Sequence, residues 1–403
     1  MPKDDYLDDP EFPAELADLQ AHLKTHPTLH SLTSSTWFSE NHRRIDQVLD
    51  HAHVENRFFP ASPEKPWLRC LTWNIEKGTK LDQLIDIFRS DSRFLSADLI
   101  LLQEADLGMA RSGNRFVARE LAGTLGMNFA YAPCFIELTK GAGEDLRAPG
   151  ENRSGLQGNA ILSRFPIQSA RTSRLPRCFE PFEFSEKRYG NRAALICRFE
   201  IGGRKMMAAT THLEVRNTPR CRARQMAALV EPFKEEARAI ILIGGDFNSN
   251  TFSRGTAWRT LRSLIRLVSS KPGNLLASTL SPQGREPLFD VLGQSGFEWG
   301  PFNDDNPTAA TFLRSLEDVH LVPRFLRDRA FRTLKSFEEG LPLRLDWFVG
   351  KNISPAVRPP WEGNMAKGSE PLSPRTIIEF ENGVKPEEVS DHRPILVDLA
   401  WHP

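Results

Sequence analysis

The 403 residues are 40% apolar and 26% charged, enough to bury one large core or two smaller ones. No run approaches the roughly 18 consecutive apolar residues of a membrane-spanning helix. Basic and acidic side chains balance at 52 each, which excludes the strongly basic footprint of a protein that grips duplex nucleic acid everywhere. The balance is uneven: residues 1 to 66 hold 6 Lys/Arg against 12 Asp/Glu, net −6, leaving +6 for residues 67 to 403. A mildly basic body can attract an anion such as a phosphate ester. The start, MPKDDYLDDPEFP, is acidic where a secretory signal would be basic and then apolar. Cys70, Cys134, Cys178, Cys197 and Cys221 are odd in number, widely spaced and without a CxxC pair, so neither a disulfide framework nor a thiolate zinc site is expected. A reducing cytoplasm is the expected compartment.

Leu16, Leu19 and Leu23 recur at helical spacing behind Pro13 and predict a helix over 13 to 26. Trp37, Phe38, Ile45, Val48 and Leu49 predict a second over 36 to 50. His22, His26 and His30 follow at intervals of four, but Pro27 interrupts them and no carboxylate accompanies them, so a solvated face is the reading, not a metal site. ASPEKP at 61 to 66 reads as a linker, dividing a helical extension, residues 1 to 66, from a body, residues 67 to 403. From Leu68 the pattern becomes short apolar runs: LRCLTW, DLILLQ, NAILS, AALICRF, KMMAATT, AIILIGG, LDWFVG and ILVDLA. These predict buried strands, with helical stretches at 81 to 90, 115 to 125 and 219 to 236 between them, hence a layered α/β domain.

What ends those strands carries the chemistry. In order they are Asn74 and Glu76, Glu104, His212, Asp246 and Asn248, Asp346, and Asp391 with His392. Carboxylates and amides are hard oxygen ligands of the kind magnesium prefers, and strand ends at one edge of a sheet bring distant residues into one pocket. Singly, each has a structural explanation as a strand terminus, a turn residue or a satisfied core histidine; the ordered set does not.

LTWNIEKG, LLQEAD, THL, IGGDFNSN, LDWFVG and SDHRPI, with GNAILSRFPI and NRAAL between them, resemble the endonuclease/exonuclease/phosphatase superfamily over roughly residues 67 to 400. The resemblance implies a four-layered α/β sandwich of the deoxyribonuclease I type and a Mg2+-dependent phosphoesterase, Mn2+ being an alternative. It implies Glu104 as principal metal ligand, with Glu76 and Asp391 as further metal-side carboxylates, although Glu76 stands where apurinic endonucleases commonly have Asp. It further implies Asp246 as the residue that deprotonates water, Asn248 and Asn74 as groups holding water or phosphate, an Asp346–His392 pair, and His212 as a second histidine. Arg192, and less so Arg188, are candidate phosphate contacts. A metal ion and a cationic imidazole near the phosphate oxygens lower the barrier to attack on a phosphodiester.

Substrate choice rests on loops. About a hundred residues separate GDFN from LDWFVG, including TAWRTLRSLIRLV with Arg259, Arg262 and Arg266 on one face, and a later cluster of Arg324, Arg327, Arg329, Arg332 and Lys335. These could follow a nucleic-acid backbone, or they could be a solvated face over Leu261, Leu264, Ile265 and Val268. Only three tyrosines and scattered tryptophans argue against base stacking. The readings are therefore a nuclease or phosphodiesterase; a phosphoesterase of inositol phosphates, nucleotides or phospholipids; and, remotely, an inactive binding scaffold, against which the intact acidic and histidine set stands. Partner docking or autoinhibition by the acidic extension is a further possibility, set beside an ordinary packed appendage.

Overall fold

The computed structural model describes residues 12 to 60, 66 to 311, 324 to 335, 337, 340 to 356 and 372 to 401. Its strands are β1 (His53–Glu55), β2 (Trp67–Asn74), β3 (Leu99–Leu107), β4 (Asn128–Glu137), β5 (Leu156–Ser163), β6 (Ser169–Arg174), β7 (Arg188–Gly190) and β8 (Ala193–Ile201). They continue with β9 (Arg204–His212), β10 (Ile240–Asp246), β11 (Ala309–Thr311), β12 (Leu341–Leu343), β13 (Asp346–Lys351), β14 (Arg375–Thr376) and β15 (Ile395–Ala400). The helices are α1 (Phe12–Thr25), α2 (Leu29–Thr33), α3 (Thr36–Asp50), α4 (Leu81–Ser90), α5 (Ser92–Leu95), α6 (Val117–Leu125), α7 (Pro219–Val230), α8 (Ala257–Ser269), α9 (Pro272–Leu280), α10 (Leu288–Gln294) and α11 (Arg324–Leu334).

Two mixed sheets form. The larger runs β1-β4-β5-β3-β2-β15-β14, with β7 also on β4, and the smaller runs β13-β10-β9-β8-β6. Side chains alternate across each strand, so two apolar sets separate by period two. Leu68 and Cys70 of β2, Leu99 and Leu101 of β3, and Ile240 and Leu242 of β10 share one cluster between the sheets. Leu71 and Trp73 of β2 with Ile100 and Leu102 of β3 face α1, α3, α4 and α6, while Ile241 and Ile243 of β10 face α7 and α10. Helix, sheet, sheet and helix give the four-layered α/β sandwich.

The N-terminal segment enters this core. Leu16, Leu19 and Leu23 of α1 are 0–2% exposed and share the outer cluster of the larger sheet, and β1 pairs with β4. Gln20 donates from Nε2 to the Ser154 carbonyl at 2.8 Å. The linker at 61 to 66 lies, but for residue 66, outside the described residues. Of the three spaced histidines, His22 is on α1, His30 on α2 and His26 in the turn between them, because α1 ends at Thr25, and His22 stacks on Trp37 at 4.7 Å.

One expectation fails and a second holds only in part. Cys178 and Cys221 are joined in a disulfide with Cα atoms 6.2 Å apart across 43 residues of sequence, while Cys70, Cys134 and Cys197 are buried free thiols; the expectation of no disulfide is overturned, because the pairing arises from folding and not from local spacing. The cysteine argument for a reducing compartment goes with it. On α8 Leu264 is buried and Leu261 and Val268 pack on the same cluster as expected, but Leu267 joins them while Ile265 is 47% exposed, so the apolar stripe differs from the expected one at that position. No helix among the described residues is long and apolar enough to cross a membrane.

If the N-terminal helix belongs to the same cooperative unit, Leu19→Ala should destabilise the whole chain by about 2–5 kcal/mol, seen as a lower midpoint of a single denaturant transition. A separate early transition that leaves the main midpoint unchanged would contradict this.

Candidate active site

One rung of the smaller sheet carries three of the predicted residues. Asp246, at the end of β10, pairs with His212 of β9 on one side and Asp346 of β13 on the other. Cross-strand partners point to the same face, here toward the larger sheet. Gly245 permits this approach: a Cβ there would collide with the Thr211 carbonyl oxygen of β9. Across the gap, Asn74 ends β2 on the face of Leu68, Cys70 and Thr72.

Glu104 reaches the site by breaking its strand's alternation. Leu99, Leu101 and Gln103 face the smaller sheet, so strict alternation would turn Glu104 toward the helices. The β3–β5 register shifts between Leu102 and Ala105, and Glu104 takes φ +56; a bulge of this kind re-aims a side chain. Asn74 Nδ2 then lies 3.4 Å from Glu104 Oε1 and 3.3 Å from Asp246 Oδ2.

Asp246 is the hub. Its Oδ1 accepts the Asn248 backbone N–H at 2.9 Å, and its Oδ2 accepts Asn248 Nδ2 at 3.2 Å. His212 Nε2 is 3.2 Å and His392 Nε2 3.7 Å from that same Oδ2. His392 Nδ1 meets Asp346 Oδ2 at 2.7 Å. Two residues that the sequence reading passed over hold this frame. Thr308 Oγ1 accepts the N–H groups of Leu345 and Asp346, and Ser390 Oγ donates to the Asn74 carbonyl at 2.6 Å while accepting the His392 N–H. Ser390 stands inside the SDH motif; no local signal marks Thr308.

The two histidines differ in charge. Burial alone would discharge His392, but Asp346, Asp246 and Asp391 outweigh it and hold the imidazolium well above the ordinary range. Burial, reinforced by Arg192, His392 and Arg188, pushes His212 well below it. Burial, with Asp346 and Glu104 against the relief from His392 and the Asn248 N–H, raises the Asp246 carboxyl to about 7. Burial, Asp391 and Glu104 raise Glu76 to about 7. Asp391 is also pushed up by its packing, Glu104 and Asp346, but the residue is exposed and water screens that push.

A cation fits this donor set. A neutral His212 that donates from Nε2 to Asp246 leaves Nδ1 as an acceptor, and this buried atom has no hydrogen-bond partner while facing Glu104 Oε1 at 3.3 Å. Asp346 Oδ1 is likewise buried and unpartnered. Asp246, Asp346 and His392 present ligand atoms within 4.8 Å of one another, the group among the described residues that could hold an ion.

The remaining candidates lie around a cavity of about 340 Å³ lined by Asn74, Glu104, His212, Asp246, Asp391 and His392. Arg192 is on its wall, 6% exposed, over the Phe135 ring and 3.7 Å from Glu214. Arg188 is on it too, stacked on Phe135 at 4.1 Å and bonded to Gln157. Glu76 sits in the turn after β2 with φ +47, its N–H held by Asn74 Oδ1, and is not on the cavity wall. Two of the three α8 arginines have structural partners: Arg259 donates to Asn217, and Arg266 donates to Thr251 and Ser278. Arg262 is exposed, as are Arg324, Arg329, Arg332 and Lys335; the side chain of Arg327 is outside the described set.

Polar strand ends gathered at one edge of a four-layered sandwich define a deoxyribonuclease I-like α/β protein. The sequence matches the profile of the Endonuclease/Exonuclease/phosphatase family over residues 71–392, and the chain belongs to that family, whose members are generally phosphoester hydrolases. Among solved structures it is similar to an endonuclease/exonuclease/phosphatase from Beutenbergia cavernae DSM 12333, at 15% identity and TM-score 0.46 over 84% of this chain and 72% of that one. It is also similar to a humanized D. rerio TDP2, at 14% and 0.42 over 83% and 99%. A third likeness is to the human Nocturnin catalytic domain with bound sulfate anion, at 14% and 0.41 over 88% and 98%. No curated protein is similar enough to match.

The raised Glu76 carboxyl gives a stability test. It is uncharged in the folded chain below about pH 7 and charged in the unfolded chain above about 4.5, so the stability it contributes at low pH is lost as pH rises through that window. In EDTA, Glu76→Gln should therefore match the parent near pH 4.5 and exceed its thermal midpoint by ~1–3 °C at pH 8, and magnesium should close the gap. An equal gap at both pH values would count against the crowding of Glu76, Asp391 and Glu104.

Proposed function

We propose that the chain hydrolyses a phosphoester by activating water with Asp246 beside a divalent cation, Mg2+ or Mn2+. The observation that carries the reading is Asp246 itself: one buried carboxylate, held up to about 7, facing Asn74, His212, Asn248 and an imidazolium. A base titrating near neutrality combines a useful deprotonated fraction with enough basicity to take a proton.

Glu104, Glu76 and Asp391 are assigned to the cation in preference to the Asp346–His392 side, because His392 Nδ1 is taken by Asp346 and a protonated ring has no lone pair to offer. When bound, the cation supplies Lewis-acid neutralisation of the phosphate oxygens. Asp246 takes the proton of the attacking water. Asn248 and Asn74, whose amides flank Asp246, orient the water and the phosphate. His392, kept cationic by Asp346, stabilises charge growing on the phosphoryl oxygens, while neutral His212 hydrogen-bonds Asp246 and Arg192 receives the phosphate from the cavity wall. The bonds made by Arg259 and Arg266 favour a compact phosphoester over a nucleic-acid strand tracked along α8.

With bis(4-nitrophenyl) phosphate and magnesium, Asp246→Asn should lower turnover by about 10²–10⁴, and Glu104→Gln should abolish metal-dependent turnover with unchanged circular dichroism. Folded variants as active as the parent would refute the roles. Asp346→Asn should lower the pKa of His392 and move the alkaline limb of the rate profile to lower pH; an unmoved limb would show that the imidazolium does not need Asp346.

A further inference from the structure

The cavity beside the proposed catalytic groups has two unlike walls. On the side of the larger sheet it is lined by Lys77, Gln157, Glu186 and Arg188. On the other side, the segment between β10 and β13 contributes Leu264 and Leu267 of α8, Leu334 of α11, and Leu341 and Leu343 of β12. These leucines are 1–7% exposed and pack into a cluster of their own, apart from those between and outside the sheets. The segment is thus a small unit with its own apolar core, and these leucines form an apolar patch on one wall of the cavity.

Thr260, Ser263 and Arg254 line the cavity from the same segment, but the leucine patch itself offers no hydrogen bond, so a polar substituent lodged against the leucines would lose its water without replacement. An alkyl or aryl group gains by the same move.

We propose that the substrate is an amphiphile: a phosphoester whose alcohol carries an apolar chain or ring, with the phosphate at Asp246 and the apolar group against Leu264, Leu267, Leu341 and Leu343. The chemistry of this inference rests on the phosphoesterase reading; the specificity rests on the cavity. Water forms a new P–O bond, the P–O bond to the alcohol breaks, the water's proton passes to Asp246, and the departing alkoxide takes up a proton. The products are the phosphate and the free apolar alcohol.

The test is calorimetric titration of the full chain, with magnesium present, by n-alkyl phosphates from methyl to octyl below their critical micelle concentrations. Affinity should rise about three- to four-fold per methylene and level off once the wall is covered. Leu343→Asn should flatten the rise. Leu343→Ala, which keeps the wall apolar and enlarges it, should move the plateau to longer chains, so the inference stays testable if the asparagine variant fails to fold. Affinity independent of chain length, or tighter binding of a dinucleotide than of octyl phosphate, would overturn it. The two readings fail separately. A flat alkyl series with hydrolysis of bis(4-nitrophenyl) phosphate removes the amphiphile and leaves the hydrolase, whereas chain-length dependence without any hydrolysis supports the apolar wall and removes the hydrolase.

Discussion

Too much negative charge, too close together and partly out of reach of water, is the constraint around which this molecule is arranged. Asp246 and Asp346 sit side by side on one rung, Asn74 bridges Asp246 and Glu104, and Asp391 and Glu104 press on Glu76 in the turn after β2. Desolvated carboxylates of one sign are costly. The chain offsets part of that cost with the His392 imidazolium and the amides of Asn74 and Asn248. The nearby arginines are largely engaged: Arg188 lies 3.6 Å from both Glu137 and Glu186, and Arg111 bonds Asp106 and Glu186. The residual charge surfaces as raised pKa values at Asp246 and Glu76 and as the unpartnered Nδ1 of His212 and Oδ1 of Asp346. An arrangement that lowers stability in this way makes physical sense where a cation completes it.

The backbone bears a second part of the cost. Glu76, Glu104 and Asn248 all adopt left-handed φ, of 47, 56 and 49°, a conformation that costs a non-glycine residue of order 1–3 kcal/mol at a strained site. Each is held by its surroundings: Glu104 by the β2 and β5 ladders on either side, Asn248 by the bond from its Nδ2 to the Leu213 carbonyl at 3.0 Å, and Glu76 by the Asn74 side chain. Local strain and charge crowding thus fall on the same residues, and the stable double-sheet core absorbs both.

Much of this was legible from residue order. The apolar runs marked β2, β3, β5, β8, β9, β10, β13 and β15, because strands buried on both faces are nearly continuous in Leu, Ile, Val and Ala. β4, although buried throughout, was hidden by its mixed run NFAYAPCFIE with Pro133 inside, and β6 by its largely polar SARTSR. The polar strand ends were visible as a set, and Asn74, Glu104, His212, Asp246, Asn248, Asp391 and His392 line one cavity while Glu76 lies off its wall. What sequence could not supply was direction. Nothing in LLQEAD says that Glu104 turns against its strand's alternation, nothing near Thr308 says that its hydroxyl caps the Asp346 N–H, and the Cys178–Cys221 pair exists only because folding closes 43 residues of chain. The apolar patch was missed for a related reason: Leu264 read as part of an ordinary helix stripe, and nothing in the sequence marks that α8, α11 and β12 share one side of the cavity.

Whether the acidic edge is a cation site organised around Glu104 is decided by titrating the metal-stripped protein with Mn2+ and following free Mn2+ by electron paramagnetic resonance, without any substrate. Saturable binding that Mg2+ displaces, and that Glu104→Gln weakens at least ten-fold in a folded chain, is expected. Failure of the parent to bind Mn2+, or equal binding by parent and Glu104→Gln, would contradict it.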